Sequence, residues 1–523
     1  MKTILKGVKI YKIGHGGIGI ASMPDGKKIL VKGGVLPGSI VDIMVVKKTK
    51  DYLEAHVIST QKYDAHFADG EVFCPHFYIS KDASSENNGT AKIGCGGCKW
   101  QMMSYLRQLE LKQGLVEESF KKINSKLEQK IGFLPILGSP LTQGYRNKIE
   151  FSFGVFKQWT KEYNQLRKQS KNMSEDSLAP QFFINSPRTC GFHKQGEFSK
   201  IVDINSCYLI SEKANQIFAI IKDLCFNSGL PTYDQKTHQG FFRHLVIREG
   251  VNTGQLMVNL SVSLTNLDDE QTKLWEELLE QFKVNPTLKQ QITTFIITYN
   301  DGLADTIKNE KSEMKVFWGD GYIHEKLVFK DGEITFRISP FSFFQTNTHG
   351  AELLFSTAFK MLGNFKGNII DLYCGTGSIG LSLLKLKEEE NSDSQLIGIE
   401  IVEDAIIDAN INAEINALSN QSFFISSPAE KALENHPELA DKIQNVGVIV
   451  IDPPRDGLHK NVIEWISNIK KEYDFQLLYI SCNSVTMARD IELFMEKGFK
   501  IREIQPVDMF PHTHHCECIG VLS

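Results

Sequence analysis

The chain lacks any long apolar stretch. None of its 523 residues falls in an uninterrupted run of about 18 apolar residues, the length that a membrane-spanning helix needs. The first residues, Met1 to Gly7, also lack the apolar core of a signal peptide. We therefore expect a cytoplasmic protein with no membrane segment.

An excess of positive charge is also missing. The chain carries 58 Lys and Arg against 63 Asp and Glu, a net charge of −5 at pH 7, whereas nucleic-acid-binding domains are usually basic overall. RNA binding is not excluded, because it requires only a local basic face. Each candidate patch is, by itself, more typical of a solvated surface. The patches are Lys27-Lys28, Lys47-Lys48-Lys50 and Lys121-Lys122.

The ten cysteines are not distributed as a disulfide framework, and disulfides are rare in large cytoplasmic proteins. One tight pair, Cys95 and Cys98, encloses two glycines, with Cys74 upstream beyond a long polar loop and Cys207 far downstream. Four thiolates can hold zinc or an iron–sulfur cluster, and the spacing does not choose between them. Free buried thiols are the third interpretation.

What is present is a set of reactive side chains at the predicted ends of apolar strands. Val446 to Ile451 runs into Asp452-Pro453-Pro454-Arg455, and Phe475 to Ile480 runs into Ser481-Cys482-Asn483. Open parallel sheets bind their ligands outside the carboxyl ends of the strands. Cys482 can attack carbon there once it is a thiolate, although a single cysteine is often only a small buried apolar residue.

A glycine-rich loop lies upstream of these strand ends. The predicted strand Asn368 to Tyr373 continues into Cys374 to Gly380 and then into a helical pattern. Glycines let the backbone approach a ligand closely, and the helix start supplies free amide groups. Glu400 follows about 20 residues later, the spacing of a ribose-binding acid. An NAD-binding Rossmann domain would share this pattern, but the chain shows no second nucleotide-binding half.

These motifs, in this order, resemble those of the RNA uracil-5-methyltransferases, which use S-adenosyl-L-methionine to make 5-methyluridine. The resemblance extends over most of the chain, with weaker matches at Tyr145 to Lys148 and Arg243 to Arg248. Five blocks carry it: Ile338 to Asn347, Asp371 to Gly380, Asp452 to Gly457, Ser481-Cys482-Asn483, and Asp508 to Glu517.

The resemblance implies a role for individual residues. Cys482 would add to carbon 6 of uracil, and Glu517 would remove the proton from carbon 5. Cofactor binding would fall to Gln345, Tyr373, Ser378, Glu400 and Asp452. A [4Fe–4S] cluster would be held by Cys74, Cys95, Cys98 and Cys207.

The expected architecture is multidomain. Short alternating strands with Gly-rich turns in residues 1–62 predict a small five-stranded β-barrel, similar to the RNA-binding TRAM domain. Residues 63–335 are expected to form an α+β domain with the four-cysteine site and an RNA-binding surface, in which Lys161 to Gln181 is a mobile insertion. Residues 336–523 alternate strands and helices, which predicts a Rossmann-like class I methyltransferase domain.

The RNA substrate is the point that the sequence leaves open. Within the family, a barrel combined with cluster cysteines is more typical of 23S ribosomal RNA enzymes, and a transfer RNA T-loop enzyme is the alternative. An N-methyltransferase is disfavoured, since Arg455 follows the prolines where an aromatic is usual. A non-enzymatic RNA-binding or assembly protein is the alternative from a different class. We expect a monomer.

Overall fold

The computed structural model describes residues 3–77, 94–159, 183–194, 197–265, 267–387, 393–437 and 439–523. The insertion predicted at residues 161–181 and most of the loop between Cys74 and Cys95 lie outside these described residues. The chain divides into two compact units. The first comprises Met1–Ser104, Lys148–Arg248 and Leu256–Gly321, and the second comprises Tyr105–Asn147, Glu249–Gln255 and Tyr322–Ser523.

The described strands, in chain order, are β1 (Ile4–Lys9), β2 (Lys12–Gly14), β3 (Ile18–Ser22), β4 (Lys28–Lys32), β5 (Ile40–Lys48), β6 (Tyr52–Lys62), β7 (Gly132–Phe133), β8 (Lys148–Trp159), β9 (Phe183–Lys194), β10 (Glu197–Asp203), β11 (Phe242–Gly250), β12 (Gln255–Val262), β13 (Thr294–Tyr299), β14 (Glu313–Trp318), β15 (Ile323–Phe329), β16 (Gly332–Ile338), β17 (Asn368–Leu372), β18 (Leu396–Glu400), β19 (Ser422–Ser426), β20 (Val446–Ile451), β21 (Gln476–Ser481), β22 (Ile501–Val507) and β23 (Glu517–Leu522).

The described α-helices are α1 (Tyr105–Asn124), α2 (Glu212–Asn227), α3 (Asp269–Val284), α4 (Pro286–Gln291), α5 (Thr348–Leu362), α6 (Ser378–Lys387), α7 (Glu403–Ile415), α8 (Ala432–Asn435), α9 (Leu439–Ile443), α10 (Lys460–Glu472) and α11 (Ser484–Glu496). Short 3₁₀ turns cover His15–Gly17, Ser419–Gln421 and Ala429–Lys431. None of the helices in the described ranges is long and apolar enough to cross a membrane.

The N-terminal part of the first unit is a six-stranded sheet in the order β1-β5-β6-β4-β3-β2. Alternate residues of β5 are buried, among them Val41, Ile43 and Val45, as the alternating sequence predicts. The sequence predicted five strands here, and the structure has six. The additional strand is the three-residue β2. This strand pairs with β3 across a tight turn in which Gly16 and Gly17 have φ of 74° and 69°, a conformation that glycine adopts without strain.

The rest of the first unit is built on a seven-stranded sheet, ordered β10-β9-β8-β11-β12-β13-β14. Its strands are mainly antiparallel, with one parallel pair between β12 and β13. Helix α3 begins with a capping box at Asp268, whose side chain accepts from the Gln271 amide at 2.7 Å. This α+β arrangement agrees with the class predicted for the central region.

The second unit contains an eight-stranded sheet, ordered β19-β18-β17-β20-β21-β23-β22-β7. Strands β17 to β21 run parallel to one another, and β23 runs antiparallel to both β21 and β22. All residues of β17 and β20 are buried, as expected of strands covered on both faces. The predicted Rossmann-like class is confirmed.

Strand polarity determines which residues meet at one edge of this sheet. The chain runs outward from β17 to β19 and then continues at β20 on the other side of β17, which makes a topological switch point between β17 and β20. Because β23 is antiparallel, it begins where its parallel neighbours end, and Cys518 pairs with Ser481. Glu517, the first residue of β23, therefore lies at the same edge as Cys482.

Candidate active site

The turn that carries Cys482 is fixed from both sides. Asn483 caps helix α11, since its side-chain oxygen accepts from the Val485 amide at 3.1 Å. The side-chain nitrogen of Asn483 donates to the carbonyl oxygen of Arg455 at 2.9 Å. The same carbonyl accepts from the Thr486 hydroxyl at 3.3 Å. The SCN turn after β21 is thus tied to the DPPR turn after β20.

Cys482 is half-buried and its thiol is held in the protonated form. Burial, followed by the negative charges of Glu517 and Asp452, raises its pKa to about 11, against the opposing effect of Arg455. These interactions place the two carboxyls and the guanidinium close to the sulfur. A thiol in this state needs a proton acceptor or an added positive charge before it can act as a nucleophile.

The two carboxyls beside Cys482 titrate near neutral pH. Burial, followed by the negative charge of Asp452, raises the pKa of Glu517 to about 8, against the opposing effect of Arg455. Burial alone raises the pKa of Asp452 to about 7. A buried acid whose pKa lies close to the working pH is suited to proton transfer, since it can both take and release a proton. This pair can therefore move protons at the strand ends.

The glycine loop after β17 is held by Glu400 at the end of β18. One carboxylate oxygen of Glu400 accepts from the Gly375 amide at 3.2 Å, and the other accepts from Ile401 and Val402 at 2.8 and 3.0 Å. Tyr373 enters the loop with φ of 62°, a left-handed conformation that is strained for a bulky residue. Strain of this kind is typical of ligand-binding turns.

Asp371, in the middle of β17, was not singled out from the sequence. Its Oδ2 accepts from the Gly380 amide at 2.9 Å, whereas Oδ1 is buried with no hydrogen-bond partner among the described residues. Burial, with the charges of Asp452 and Glu400, raises its pKa to about 8 despite the Gly380 bond. The sequence feature that could have indicated Asp371 as a site residue is an acidic side chain within a mainly apolar strand.

The remaining predicted cofactor residues occupy neighbouring segments. Ser378 is the first residue of α6, directly after the glycine loop. Gln345 is buried between β16 and α5, where its carbonyl oxygen accepts from the Asn147 side chain at 3.0 Å. Cys482, Glu517 and Asp452 thus lie close enough to interact electrostatically. Asp452 also interacts electrostatically with Asp371, which binds the Gly380 amide at the end of the glycine loop. Gln345 is held by its bond to Asn147, and Ser378 is placed by its position at the start of α6.

The four predicted metal ligands lie in the first unit, around Cys95. The Cys95 amide donates to the His76 carbonyl oxygen at 2.8 Å, and the Gly97 amide donates to the Cys95 sulfur at 3.3 Å. Burial raises the pKa of Cys95 well above its usual range, and the nearby thiols of Cys98, Cys207 and Cys74 add to this. The four thiols are therefore neighbours.

Their arrangement is nevertheless not that of a metal site. Within the described ranges, no group of three or more His, Cys, Asp or Glu side chains is placed so that it could hold a metal ion. The donor set matches a four-thiolate group in its chemistry, but its geometry in this structure does not. The predicted iron–sulfur site is accordingly not confirmed, and the chemistry at Cys482 does not require it.

Comparison with known proteins agrees with these features. Residues 266–523 match the family model described as tRNA (Uracil-5-)-methyltransferase, and residues 6–58 match the TRAM domain. An uncharacterized RNA methyltransferase of Caldanaerobacter subterraneus is 32% identical over 517 residues, which cover 99% of this chain and 98% of the relative. Another, of Bacteroides thetaiotaomicron, is 32% identical over 490 residues, covering 94% and 95%.

A solved structure has a similar fold. The Pyrococcus abyssi tRNA (uracil-54, C5)-methyltransferase in complex with S-adenosyl-L-homocysteine superposes with a TM-score of 0.64 at 22% identity, and the match covers 99% of this chain and 100% of that one. At this identity the likeness concerns the fold.

Proposed function

This chain belongs to the RNA uracil-5-methyltransferase family and is an RNA methyltransferase dependent on S-adenosyl-L-methionine; from that premise we propose that it methylates carbon 5 of a uridine in 23S ribosomal RNA. The observation that supports this chemistry is the meeting of Cys482, Glu517 and Asp452 at one sheet edge, beside the glycine loop. An NAD oxidoreductase has no use for a thiol and a base there.

Cys482 acts as the nucleophile. Carbon 5 of uracil is a poor nucleophile until a thiolate adds to carbon 6, which forms the S–C6 bond and moves the ring electrons toward carbon 5. S-adenosyl-L-methionine supplies the methyl group as a sulfonium electrophile. The raised pKa of Cys482, about 11, requires that its proton pass to a neighbouring acceptor. The Asp452 carboxylate takes this proton and returns it to the thiolate at the end of the cycle, which leaves Glu517 ionised for the proton on carbon 5.

Glu517 acts as the base after methyl transfer. Carbon 5 then carries both a methyl group and a proton, and the carboxylate takes that proton. The C5–H electrons re-form the C5–C6 double bond, the S–C6 bond breaks, and the thiolate of Cys482 is regenerated. The pKa of Glu517, about 8, allows it to accept this proton and to return it to water near neutral pH.

Cofactor binding is assigned to the loop and strand ends around Glu400. Three backbone amides already orient its carboxylate, and one lone-pair site is left, on the oxygen that binds Gly375, for a ribose hydroxyl. When the cofactor is bound, Tyr373 and Ser378 would hold its methionine portion, and Gln345 and Asp452 would contact it near the transferred methyl group. The target base must leave its stack to reach Cys482, as for other enzymes that modify bases.

The choice of 23S ribosomal RNA is supported by the TRAM domain together with the cysteine group around Cys95, a combination that resembles the ribosomal members of the family. Transfer RNA is the alternative, and the Pyrococcus abyssi neighbour acts on uracil 54 of tRNA. Mapping 5-methyluridine in RNA from cells with and without the gene decides between them. Loss of a 23S site supports the proposal, and loss of the T-loop site overturns this RNA choice.

The chemistry is tested separately with purified protein. We expect Cys482→Ala to abolish transfer of labelled methyl groups to RNA while S-adenosyl-L-methionine still binds. Cys225→Ala is the matched control, since it removes a buried thiol of α2 in the first unit. Retained turnover in Cys482→Ala would overturn the covalent mechanism. Absence of methyl transfer by the wild-type protein to any cellular RNA would favour a non-enzymatic RNA-binding or assembly protein.

We also retain the [4Fe–4S] cluster at Cys74, Cys95, Cys98 and Cys207 as a proposal, supported by the proximity of four thiols in one place and by the family resemblance. Anaerobically purified protein should then be brown, with broad absorption near ~400 nm and about four irons per chain. Colourless protein carrying zinc, or carrying no metal, would refute the cluster and leave the methyltransferase proposal intact.

A further inference from the structure

The connection between β22 and β23 is unusual because most of it is buried. Connecting segments normally run over the surface, where water satisfies their backbone groups. In residues 508–516, by contrast, Asp508 and Met509 are fully buried, and His512 is only 6% exposed. This connection, which we call the 508–516 loop, ends directly before Glu517, whose partner in the ladder is Val507.

A buried ion pair holds the start of the loop. Lys112, on α1, places its ammonium 2.6 Å from Oδ1 of Asp508, and both side chains are fully buried. The same ammonium donates to the Phe510 carbonyl oxygen at 3.0 Å, while the Phe510 amide donates to Oδ1 of Asp508 at 2.9 Å. The Tyr105 hydroxyl donates to Oδ2 at 2.9 Å. A pair with this many hydrogen bonds fixes its geometry, because either charge left alone there would be severely destabilising.

A second anchor lies one turn earlier on the same face of α1. The side-chain oxygen of Gln108 accepts from the His512 amide at 2.7 Å, and its nitrogen lies 3.1 Å from Nδ1 of His512. Nε2 of His512 lies 3.1 Å from the Thr142 carbonyl oxygen. Burial lowers the pKa of His512 to about 4, so the ring is neutral. These contacts fit the tautomer in which Nε2–H donates to Thr142 and Nδ1 accepts from Gln108.

The backbone of the loop needs these anchors. His512 has φ of 65°, a left-handed conformation that is unfavourable for a non-glycine residue unless its surroundings impose it. Glu517 is the first residue of β23. The sheet hydrogen bonds fix the chain that follows it, and the 508–516 loop fixes the chain that precedes it. A shift in the loop therefore moves the Glu517 carboxylate relative to Cys482.

We propose that Lys112 and Gln108 are positioning residues for the base: through Asp508 and His512 they hold the 508–516 loop, and the loop aims the Glu517 carboxylate at carbon 5 of the target. This inference rests on the proposed function. It predicts a specific defect, in which proton removal is slowed after methyl transfer has taken place. The thiol adduct then cannot break down, so the RNA–protein adduct accumulates.

The test uses two full-length variants that avoid an unpaired buried charge. Lys112→Met/Asp508→Leu removes both members of the ion pair together, since replacing a buried pair by apolar residues is often tolerated. Gln108→Leu keeps the pair and removes the contacts to His512. Each is incubated with labelled S-adenosyl-L-methionine and RNA, and the covalent adduct is measured on a denaturing gel beside multiple-turnover rates. Cofactor affinity is measured in parallel.

We expect turnover to fall by up to roughly 100-fold, the loss that a displacement of about 1 Å can cause, with cofactor affinity unchanged and methylated adduct accumulating as in Glu517→Gln. Lys222→Met is the matched control. It disrupts another buried lysine that contacts an aspartate, Asp203, at 2.8 Å in the first unit, and it should not trap adduct.

The outcomes separate the two proposals. If wild-type protein methylates RNA and Glu517→Gln traps adduct, the proposed function stands. Variants of α1 that then show normal turnover, or lose turnover without adduct, overturn the positioning role. If the wild-type protein transfers no methyl group and Glu517→Gln traps nothing, the proposed function itself fails.

Discussion

The charges around Cys482 work against its activation in the resting protein. A thiol whose pKa is about 11 lies beside a glutamic acid whose pKa is about 8, so the two negative forms disfavour each other. The same proximity makes the carboxylate a ready proton acceptor. A sulfonium bound nearby would supply the positive charge that favours both the thiolate and the carboxylate. The site is therefore expected to become reactive only when the cofactor is bound.

The pH dependence of turnover follows from Glu517. In its proposed role as the base, Glu517 must be ionised, and with a pKa of about 8 it is mostly protonated below about pH 7. We therefore expect kcat to rise with pH through about pH 8 and to level off near about pH 9, since proton removal follows methyl transfer and frees the enzyme for the next turnover. A profile measured from about pH 6 to 9 checks this. A flat profile, or one that falls across this range, would contradict the assignment of the base.

Residues at strand ends were the easiest to predict, because apolar runs of strand length stand out and chemistry gathers where parallel strands end. Cys482 and Asp452 were found in this way. Glu517 was proposed only through the family resemblance, because β23 is antiparallel and Glu517 lies at its start, not at its end. Asp371 was not predicted as a site residue, because it lies within a mainly apolar strand and not at its end. Lys112 could not be found at all, since it lies 396 residues from its partner Asp508.

At the scale of elements, Gly380 lets the start of α6 pack closely against β17 and β18. A Cβ atom on Gly380 would lie 2.6 Å from Cδ1 of Leu396 and 2.7 Å from Oδ2 of Asp371, too close for either neighbour. The helix start would have to move away from the strand, taking the loop with it. The helix N-terminus is also where free amides face a ligand.

We expect Gly380→Ala to weaken S-adenosyl-L-methionine binding by about 5- to 100-fold, since overpacking strain of this kind typically costs about 1–3 kcal/mol, displacement of the loop carries that strain into binding, and 1.4 kcal/mol is tenfold in affinity. Gly114→Ala is the matched control. Gly114 is exposed within α1, its Cβ would meet nothing within 4 Å, and alanine is the better helix former. Calorimetric titration measures both variants. Equal affinities would show that the loop does not depend on this contact.

At the scale of the whole molecule, the net charge of −5 says little about the site. Asp371 and Glu517 are buried and Asp452 is partly buried at one sheet edge, and desolvation is the main cause that raises their pKa values to about 8, 8 and 7, respectively. Near neutral pH they carry less negative charge than the composition suggests. A cationic cofactor would draw them toward their ionised forms, so its binding and their titration are coupled.

This coupling predicts how the stability of the second unit varies with pH. The folded unit keeps protons on these three acids up to about pH 7–8, whereas the unfolded chain releases them near pH 4. Between those limits the folded state binds more protons, so its stability falls as pH rises. We expect the Tm of the cofactor-free protein to fall between about pH 6 and 8, with a shallower fall in Asp452→Asn.

The thermal transition of the second unit is the one that the bound cofactor should shift, and the reaction product serves as the control ligand. S-adenosyl-L-methionine carries a sulfonium and S-adenosyl-L-homocysteine does not, so the first should stabilise the unit increasingly more than the second as pH rises and the acids ionise. Thermal unfolding with each ligand at several pH values measures this difference. If the two ligands shift Tm equally at about pH 6 and 8, or if Tm of the free protein rises over that range, the three acids do not titrate as a group beside the cofactor.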